Sequence, residues 1–356
     1  MSKKKKILFV VDMLNGRGGM ENVTRQLILQ LNLDPEYTAG LFIINDGNEY
    51  ASTAWRDGIV WGQSERITRN HKVSRLFHVL QLARCMLTCR PDRVVVLNTI
   101  PCLIARLAMT ISGTKVKLST WMHLPPKDRY RPHYLLKADH HFAISSDIAQ
   151  QFITLGAPEN AIDIVFNPVK RNPITINRPY ILKLLYIGRV HFKGQKNLKE
   201  LFDAVNRLEI PWSLDIVGNG EDLLQCQEYS NTLGLEKNIT WHGWQDNAWE
   251  YIENNIQEVS SLVLTSTQEG LPLVLLEAIS RGVYCISSDC ISGPSDIIVD
   301  NVNGALYHSG DISELVDKIT AIGSVENLPD PVLIKNSIVE FYEDEYMSRF
   351  KRFLGA

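Results

Sequence analysis

Two glutamates eight residues apart, Glu269 and Glu277, frame the run Ser266-Thr267-Gln268-Glu269-Gly270-Leu271-Pro272-Leu273-Val274-Leu275-Leu276-Glu277-Ala278. Proline suits the first turn of a helix, so a helix is expected to open near Pro272. Glu269 then sits in the loop at its mouth, and Glu277 lies a turn or more inside. There Glu277 is framed by Leu275, Leu276, Ala278 and Ile279, a costly place for a carboxylate without a partner. A polyhydroxyl ligand supplies one, because a carboxylate can accept hydrogen bonds from two vicinal hydroxyls. A second run, Tyr186-Ile187-Gly188-Arg189-Val190-His191-Phe192-Lys193-Gly194-Gln195-Lys196-Asn197, reads as strand, glycine turn, cations and helix start. A guanidinium forks across phosphate oxygens and an ammonium adds compact charge, so this turn is suited to cradling a diphosphate without a metal ion. The competing reading is an exposed basic turn.

Two further constellations sit at expected strand ends. His123, in Trp121-Met122-His123-Leu124-Pro125-Pro126, precedes two prolines that stiffen its loop. It reads either as a ligand-facing imidazole or as a structural one. Asn15-Gly16-Arg17-Gly18-Gly19-Met20-Glu21 follows the opening strand, where glycines let backbone approach a ligand and a helix start favours an anion. A dinucleotide fingerprint would need its third glycine where Glu21 stands, and a carboxylate there opposes a pyrophosphate. An NAD-dependent dehydrogenase is therefore disfavoured, and a tight turn without a ligand remains an alternative.

These residues need elements to hold them. Short apolar runs at 7–11, 41–45, 94–97, 116–120 and 141–144 alternate with helical patterns at 20–32, 74–89, 101–111 and 146–155. The prolines of 167–179 interrupt the pattern as a linker. It then resumes with strands at 183–187, 213–217, 238–241, 261–265 and 284–287 and helices near 197–208, 220–233, 272–281 and 311–322. A last amphipathic stretch covers about 331–354. Such alternation predicts parallel α/β architecture, and open parallel sheets bind ligands beyond the carboxyl ends of their strands. The expected division is a first domain over 1–170, a second over 171–335, and a C-terminal helix over 336–356.

Composition narrows the classes. The 356 residues carry 37 Lys and Arg against 40 Asp and Glu, a net charge of -3, which leaves no footprint for duplex nucleic acid. Six cysteines without C-x-x-C spacing read as reduced thiols, and no apolar run approaches a membrane span. A cytoplasmic protein is expected. The Lys3–Lys6 run reads as a solvated tail, or as an electrostatic foot on an anionic inner leaflet.

The E-x₇-E run with its Gly-Leu-Pro, the Gly-Arg…Gln-Lys-Asn turn and the N-terminal Gly-Gly loop together resemble the retaining glycosyltransferases of family 4. Within that family the pattern is most similar to the lipopolysaccharide core 1,6-galactosyltransferase group. The resemblance implies the GT-B fold, two Rossmann-like doubly wound domains facing a central cleft. It implies that Glu277 binds the nucleotide ribose and that Glu269 lies beside the donor sugar. Backbone amides of Gly270, Leu271 and Leu273, around Pro272, would lie near sugar and diphosphate. Arg189 and Lys196 would grip the diphosphate, with Lys193 as the alternative lysine because the family's usual spacing falls between the two. His123 would contact the donor sugar, Gly18 and Gly19 would close over phosphate or admit the acceptor, and Gly218 and Gly243 would belong to a wall for the base. The implied substrates are a UDP-sugar, with UDP-galactose as best guess, and a glycolipid or oligosaccharide acceptor, with no metal. A membrane-anchored acceptor would give Lys3–Lys6 and the Trp55, Trp61 and Phe77 region an interfacial role, with burial of those aromatics in the core as the other reading. A GT-B-like sugar-nucleotide epimerase and a non-catalytic nucleotide-sugar-binding subunit are the alternative functions.

Overall fold

The computed structural model describes residues 4–13, 19–47 and 54–355. The chain divides into two compact units, one running to Phe166 and regaining the chain at Arg349, the other spanning Asn167–Ser348.

The first unit is built from β1 (Lys5–Asp12), α1 (Gly19–Leu33), β2 (Tyr37–Asn45), β3 (Val60–Glu65), α2 (His71–Cys89), β4 (Arg93–Val96), α3 (Thr99–Ser112), β5 (Lys117–Met122), β6 (His140–Ala143), α4 (Ser146–Leu155) and β7 (Ile162–Ile164). Its strands form one parallel sheet in the order β3-β2-β1-β4-β5-β6-β7. The central strands are continuous apolar runs because helices cover both faces, and Ile7 to Val11 and Val94 to Val96 are all at most 1% exposed. The edge strands β3 and β7 escaped the sequence reading, since an edge strand needs no such run.

The second unit holds β8 (Leu182–Ile187), α5 (Leu198–Val205), β9 (Trp212–Val217), α6 (Leu223–Thr232), β10 (Ile239–Gly243), α7 (Ala248–Tyr251), β11 (Ser261–Leu264), α8 (Leu273–Ile279), β12 (Tyr284–Ser288), α9 (Pro294–Ile297), β13 (Gly304–Tyr307), α10 (Ile312–Ala321), α11 (Pro331–Asn336) and the first half of α12 (Glu343–Gly355). Six parallel strands lie in the order β10-β9-β8-β11-β12-β13.

The expected single C-terminal helix is broken. Tyr342 is extended and forms an isolated bridge with Val169, whose N–H donates to the Phe341 carbonyl at 2.8 Å. Residues 336–348 group with the second unit, and α12 joins the first from Arg349 onward. There Phe350 packs 5.7 Å from Trp121 and 5.3 Å from Phe142, and Arg93 donates to the Phe353 carbonyl at 2.8 Å.

Of the aromatics that read either as interfacial or as core, Trp55 is 6% exposed, while Trp61 and Phe77 are half-buried, Trp61 filling the space that a side chain at Gly40 would take. The lysine run is partly absorbed as well, Lys4 donating to the Asp34 carbonyl at 3.2 Å and Lys6 to the Cys89 carbonyl at 2.9 Å. Among the described residues no helix is long and apolar enough to cross a membrane.

Candidate active site

In the second sheet β8 and β11 are neighbours although β9 and β10 lie between them in the chain. The strand order reverses there, so the loops leaving their carboxyl ends diverge and open a crevice. Those loops carry the two runs singled out above, and they are stitched together. Thr267 donates its N–H to the Gln195 carbonyl at 2.8 Å and its hydroxyl to Gly194 at 3.1 Å. The Thr265 hydroxyl donates to the Lys196 carbonyl at 3.0 Å, and the Gln195 amide to Gln268 at 3.2 Å. The stitching delivers Lys196 Nζ to Glu269 Oε1 at 2.6 Å, where the Ser266 hydroxyl also donates at 2.6 Å. Only 16% of the lysine and 10% of the glutamate side chain is exposed. The other Glu269 oxygen has no hydrogen-bond donor among the described residues.

Arg189 and Lys193 leave the same loop into solvent, and the Arg189 guanidinium has no ion-pair partner among the described residues. The Arg189 carbonyl is held by the buried Tyr186 hydroxyl at 2.7 Å. Burial first, then the nearby Glu269 charge, pushes that phenol well above its ordinary pKa. Behind Glu269, Gly293 lies against the Gly270–Pro272 backbone: a Cβ there would meet Leu271 Cα and Pro272 Cδ at 2.7 Å. Pro272 directly precedes α8, whose opening amides at Leu273 and Val274 lie outside the intrahelical ladder.

Three glycines end successive strands. The Gly188 N–H donates to Val217 at 3.0 Å, the Gly218 N–H to Gly243 at 2.8 Å, and the Val190 N–H to Asn219 at 3.0 Å. Gly218 has φ +146°, and a Cβ on it would overlap the Gly188 carbonyl, so only glycine lets the two loops run this close. Gly243 is positioned by its neighbour His242, whose Nε2 meets Asp215 Oδ1 at 2.6 Å and whose Nδ1 meets the Tyr251 hydroxyl at 3.1 Å. Trp244, next along, is 55% exposed.

Glu277 sits inside α8, and its Oε2 accepts from the Trp249 indole N–H at 2.8 Å. Burial raises its carboxyl pKa, with the Trp249 donor and Arg281 pulling the other way. Arg281 in turn lies 4.5 Å over the Trp249 ring, pairs with Glu253 at 2.7 Å and donates to the Glu277 carbonyl at 3.1 Å. The second Glu277 oxygen has no partner among the described residues. Sequence reasoning found Glu277 but missed Trp249, because nothing local links an indole to a carboxylate 28 residues on. It also quoted Ser266 without giving it a part.

In the first unit the equivalent reversal lies between β1 and β4. Asp12 ends β1, and the Asn98 amide beyond β4 donates to its Oδ2 at 2.8 Å. Burial pushes the Asp12 carboxyl up to about 6, against the Asn98 hydrogen bond. His123, just past β5, is 6% exposed and its ring lies 4.3 Å from that of Trp121. Burial drives its pKa down to about 3, so the imidazole is neutral, and its Nε2 has no hydrogen-bond partner among the described residues. Gly19 opens α1, whereas Gly18 lies outside the described residues.

Residues 176–332 match the model of the "Glycosyl transferases group 1" family. The chain is 36% identical over 350 residues to the lipopolysaccharide 1,6-galactosyltransferase of Escherichia coli K12, covering 98% of this chain and 97% of that one. It is 35% identical over 349 residues, 97% of each chain, to the enzyme of the same name from Salmonella typhimurium. Among solved structures it is similar to an apo lipopolysaccharide outer core galactosyltransferase, with a TM-score of 0.93 and 34% identity over 98% of this chain and 99% of that one. A 17%-identical Anabaena protein solved with UDP shares the fold at a TM-score of 0.79, covering 98% of this chain and 99% of that one. Two parallel-sheet Rossmann-like units and an identity that runs the length of the chain establish that it belongs to the group 1 glycosyltransferases, with the GT-B fold.

Proposed function

We propose that this chain transfers a galactosyl group from UDP-galactose to a lipopolysaccharide core or related glycolipid, with retention at the anomeric carbon, as a member of glycosyltransferase family 4. The observation that carries the reading is the near-complete overlap with two lipopolysaccharide 1,6-galactosyltransferases. The Lys196–Glu269 pair at the strand-order reversal of the second sheet agrees with it.

In this reading the free oxygen of Glu277 accepts the ribose hydroxyls, and Trp249 holds the carboxylate in place. Gly218 and Gly243 let the base lie against bare backbone. Arg189 and Lys196 neutralise the leaving diphosphate, with Lys193 adding peripheral charge, so no metal ion is needed for that task. Glu269 orients the sugar hydroxyls while its other oxygen keeps Lys196 in position, and the first-turn amides beyond Gly270 and Leu271 lie near the sugar phosphate. Gly19, at the start of α1, closes over phosphate or admits the acceptor. His123 offers the donor sugar a neutral hydrogen-bonding nitrogen, since a group with a pKa of about 3 is no general acid near neutrality. A double displacement would require a carboxylate nucleophile at the anomeric carbon. The family resemblance gives Glu269 to positioning the sugar and not to attack, so the acceptor attacks on the same face from which UDP departs, with the departing phosphate taking the acceptor proton. The acceptor's lipid places the enzyme peripherally at the cytoplasmic leaflet.

The test is a donor screen with UDP-galactose, UDP-glucose, UDP-N-acetylglucosamine and GDP-mannose, with and without galactose-deficient core lipopolysaccharide. The expected result is acceptor-dependent release of UDP from UDP-galactose, unaffected by chelator, with an α-linked product by NMR. A β-linked product removes retention, transfer from another donor removes galactose, and interconversion of the UDP-sugar without acceptor indicates an epimerase.

A further inference from the structure

Between Arg66 and Lys127 the chain carries eleven Lys and Arg and a single acid, Asp92, although the whole protein has a net charge of -3. The centre of this stretch is α2, which contains no acidic residue. One face of α2 is core: Ser74, His78, Val79, Leu82, Ala83 and Met86 are buried. The opposite face is apolar too. Val73, Leu76, Leu80 and Leu87 are each 48–59% exposed. At about 100° per residue they fall within about 60° of one another around the axis. Lys72 and Arg84, both exposed, flank that stripe on its two sides. The neighbouring α3 adds Leu107 at 46% and Ile111 at 56% exposure, with the exposed Lys115 just beyond its end. Asp46, paired with Arg66 and His71, marks the limit of the surface near the start of α2.

We infer that the exposed face of α2, continued by α3, docks the enzyme on an anionic phospholipid surface. A narrow leucine stripe between cations is what the boundary between headgroups and acyl chains takes up, the aliphatic tips entering and the cations meeting lipid phosphates. The two contributions together give reversible docking, which suits an enzyme that must reach successive lipid-anchored acceptors and still exchange a soluble nucleotide. The inference rests on the glycolipid reading above and assigns the membrane contact to residues other than Trp55, Trp61 and the lysine run.

The test sediments the purified full chain with vesicles of phosphatidylethanolamine and phosphatidylglycerol, and with phosphatidylcholine alone. Binding is expected to the anionic vesicles only and to be released by high salt. Leu76→Ser/Leu80→Ser and Lys72→Glu/Arg84→Glu should each lower the bound fraction on the order of tenfold. Leu33→Ser, at an exposed site on α1, should leave it unchanged. All variants should transfer galactose to detergent-free core oligosaccharide at the wild-type rate. Vesicle binding that the paired variants leave intact, or no binding at all, overturns the assignment. So does a sedimentation-velocity dimer that Leu76→Ser/Leu80→Ser dissociates, because the stripe would then be covered by a second copy. Failure of oligosaccharide transfer with vesicle binding intact would instead remove the acceptor reading and leave the docking face standing.

Discussion

Removing either member of the Lys196–Glu269 pair leaves the other charge stranded in a site where 16% and 10% of the two side chains are exposed. At 2.6 Å and an effective dielectric of about 20, the gross attraction is about 6 kcal/mol. Desolvation of both ions takes back much of this, so the net value of the pair is small while the cost of breaking it is about 3–5 kcal/mol. Lys196→Met leaves Glu269 with only the Ser266 hydroxyl, and Glu269→Gln leaves the ammonium facing a neutral amide. Each single variant is therefore expected to lose about 3 kcal/mol. The double variant should lose no more than either alone, a coupling of about 3 kcal/mol or more. Urea titrations of the four proteins, followed by circular dichroism with unchanged slopes, measure the cycle. Losses that add to within about 0.5 kcal/mol would show that the two charges do not depend on one another and would refute the pairing.

Arg189→Ala is expected to lower turnover about 10²–10³-fold with an unchanged melting temperature, because the guanidinium is exposed and supports no ion pair among the described residues. Steady-state rates beside thermal melts check both halves. Gly218→Ala forces a side chain into a backbone at φ +146° and against the Gly188 carbonyl. It should weaken UDP binding at least about tenfold by calorimetry and cost about 1–3 kcal/mol of stability, whereas Gly58→Ala, at φ +79° with nothing within 4 Å, should leave UDP binding untouched. Asp12 has a folded pKa of about 6 against an ordinary 3.8, so its protonated form is the favoured one. The stability it contributes is present below pH ~3.8 and is lost as pH rises through about 6, an effect of about 3 kcal/mol for about two units. Asp12→Asn should therefore raise the melting temperature above pH 6 and change it little at pH 4, and a gain independent of pH would contradict the burial argument.

The alternation of short apolar runs with amphipathic ones was legible because it records local demands. A strand covered on both faces must be apolar throughout, as Leu8 to Val11 are. A turn that brings backbone close to backbone must use glycine, as at Gly188 and Gly218. The same logic placed Glu277 inside a helix and Arg189 after a strand. At the sheet edges the signal faded: β3, β7 and β13 went unread, and the aromatic pattern of the last 25 or so residues hid a break at Tyr342 made by pairing with Val169.

What only the tertiary structure decided is which distant groups meet. The sequence favours Lys196 over Lys193 only by its place at a helix start, and the contact that separates them rests on hydrogen bonds from Thr265 and Thr267 that turn Lys196 toward a glutamate 73 positions away. Trp249 reaches Glu277 because the chain comes back beside α8, and no periodicity encodes that return. The imidazole of His123 owes its neutrality to burial beside Trp121, a property of packing that no residue list carries. Composition, period and turn chemistry act over a few residues and so can be read along the chain, whereas strand order acts across it and sets the partners, the burial and the protonation states on which the chemistry depends.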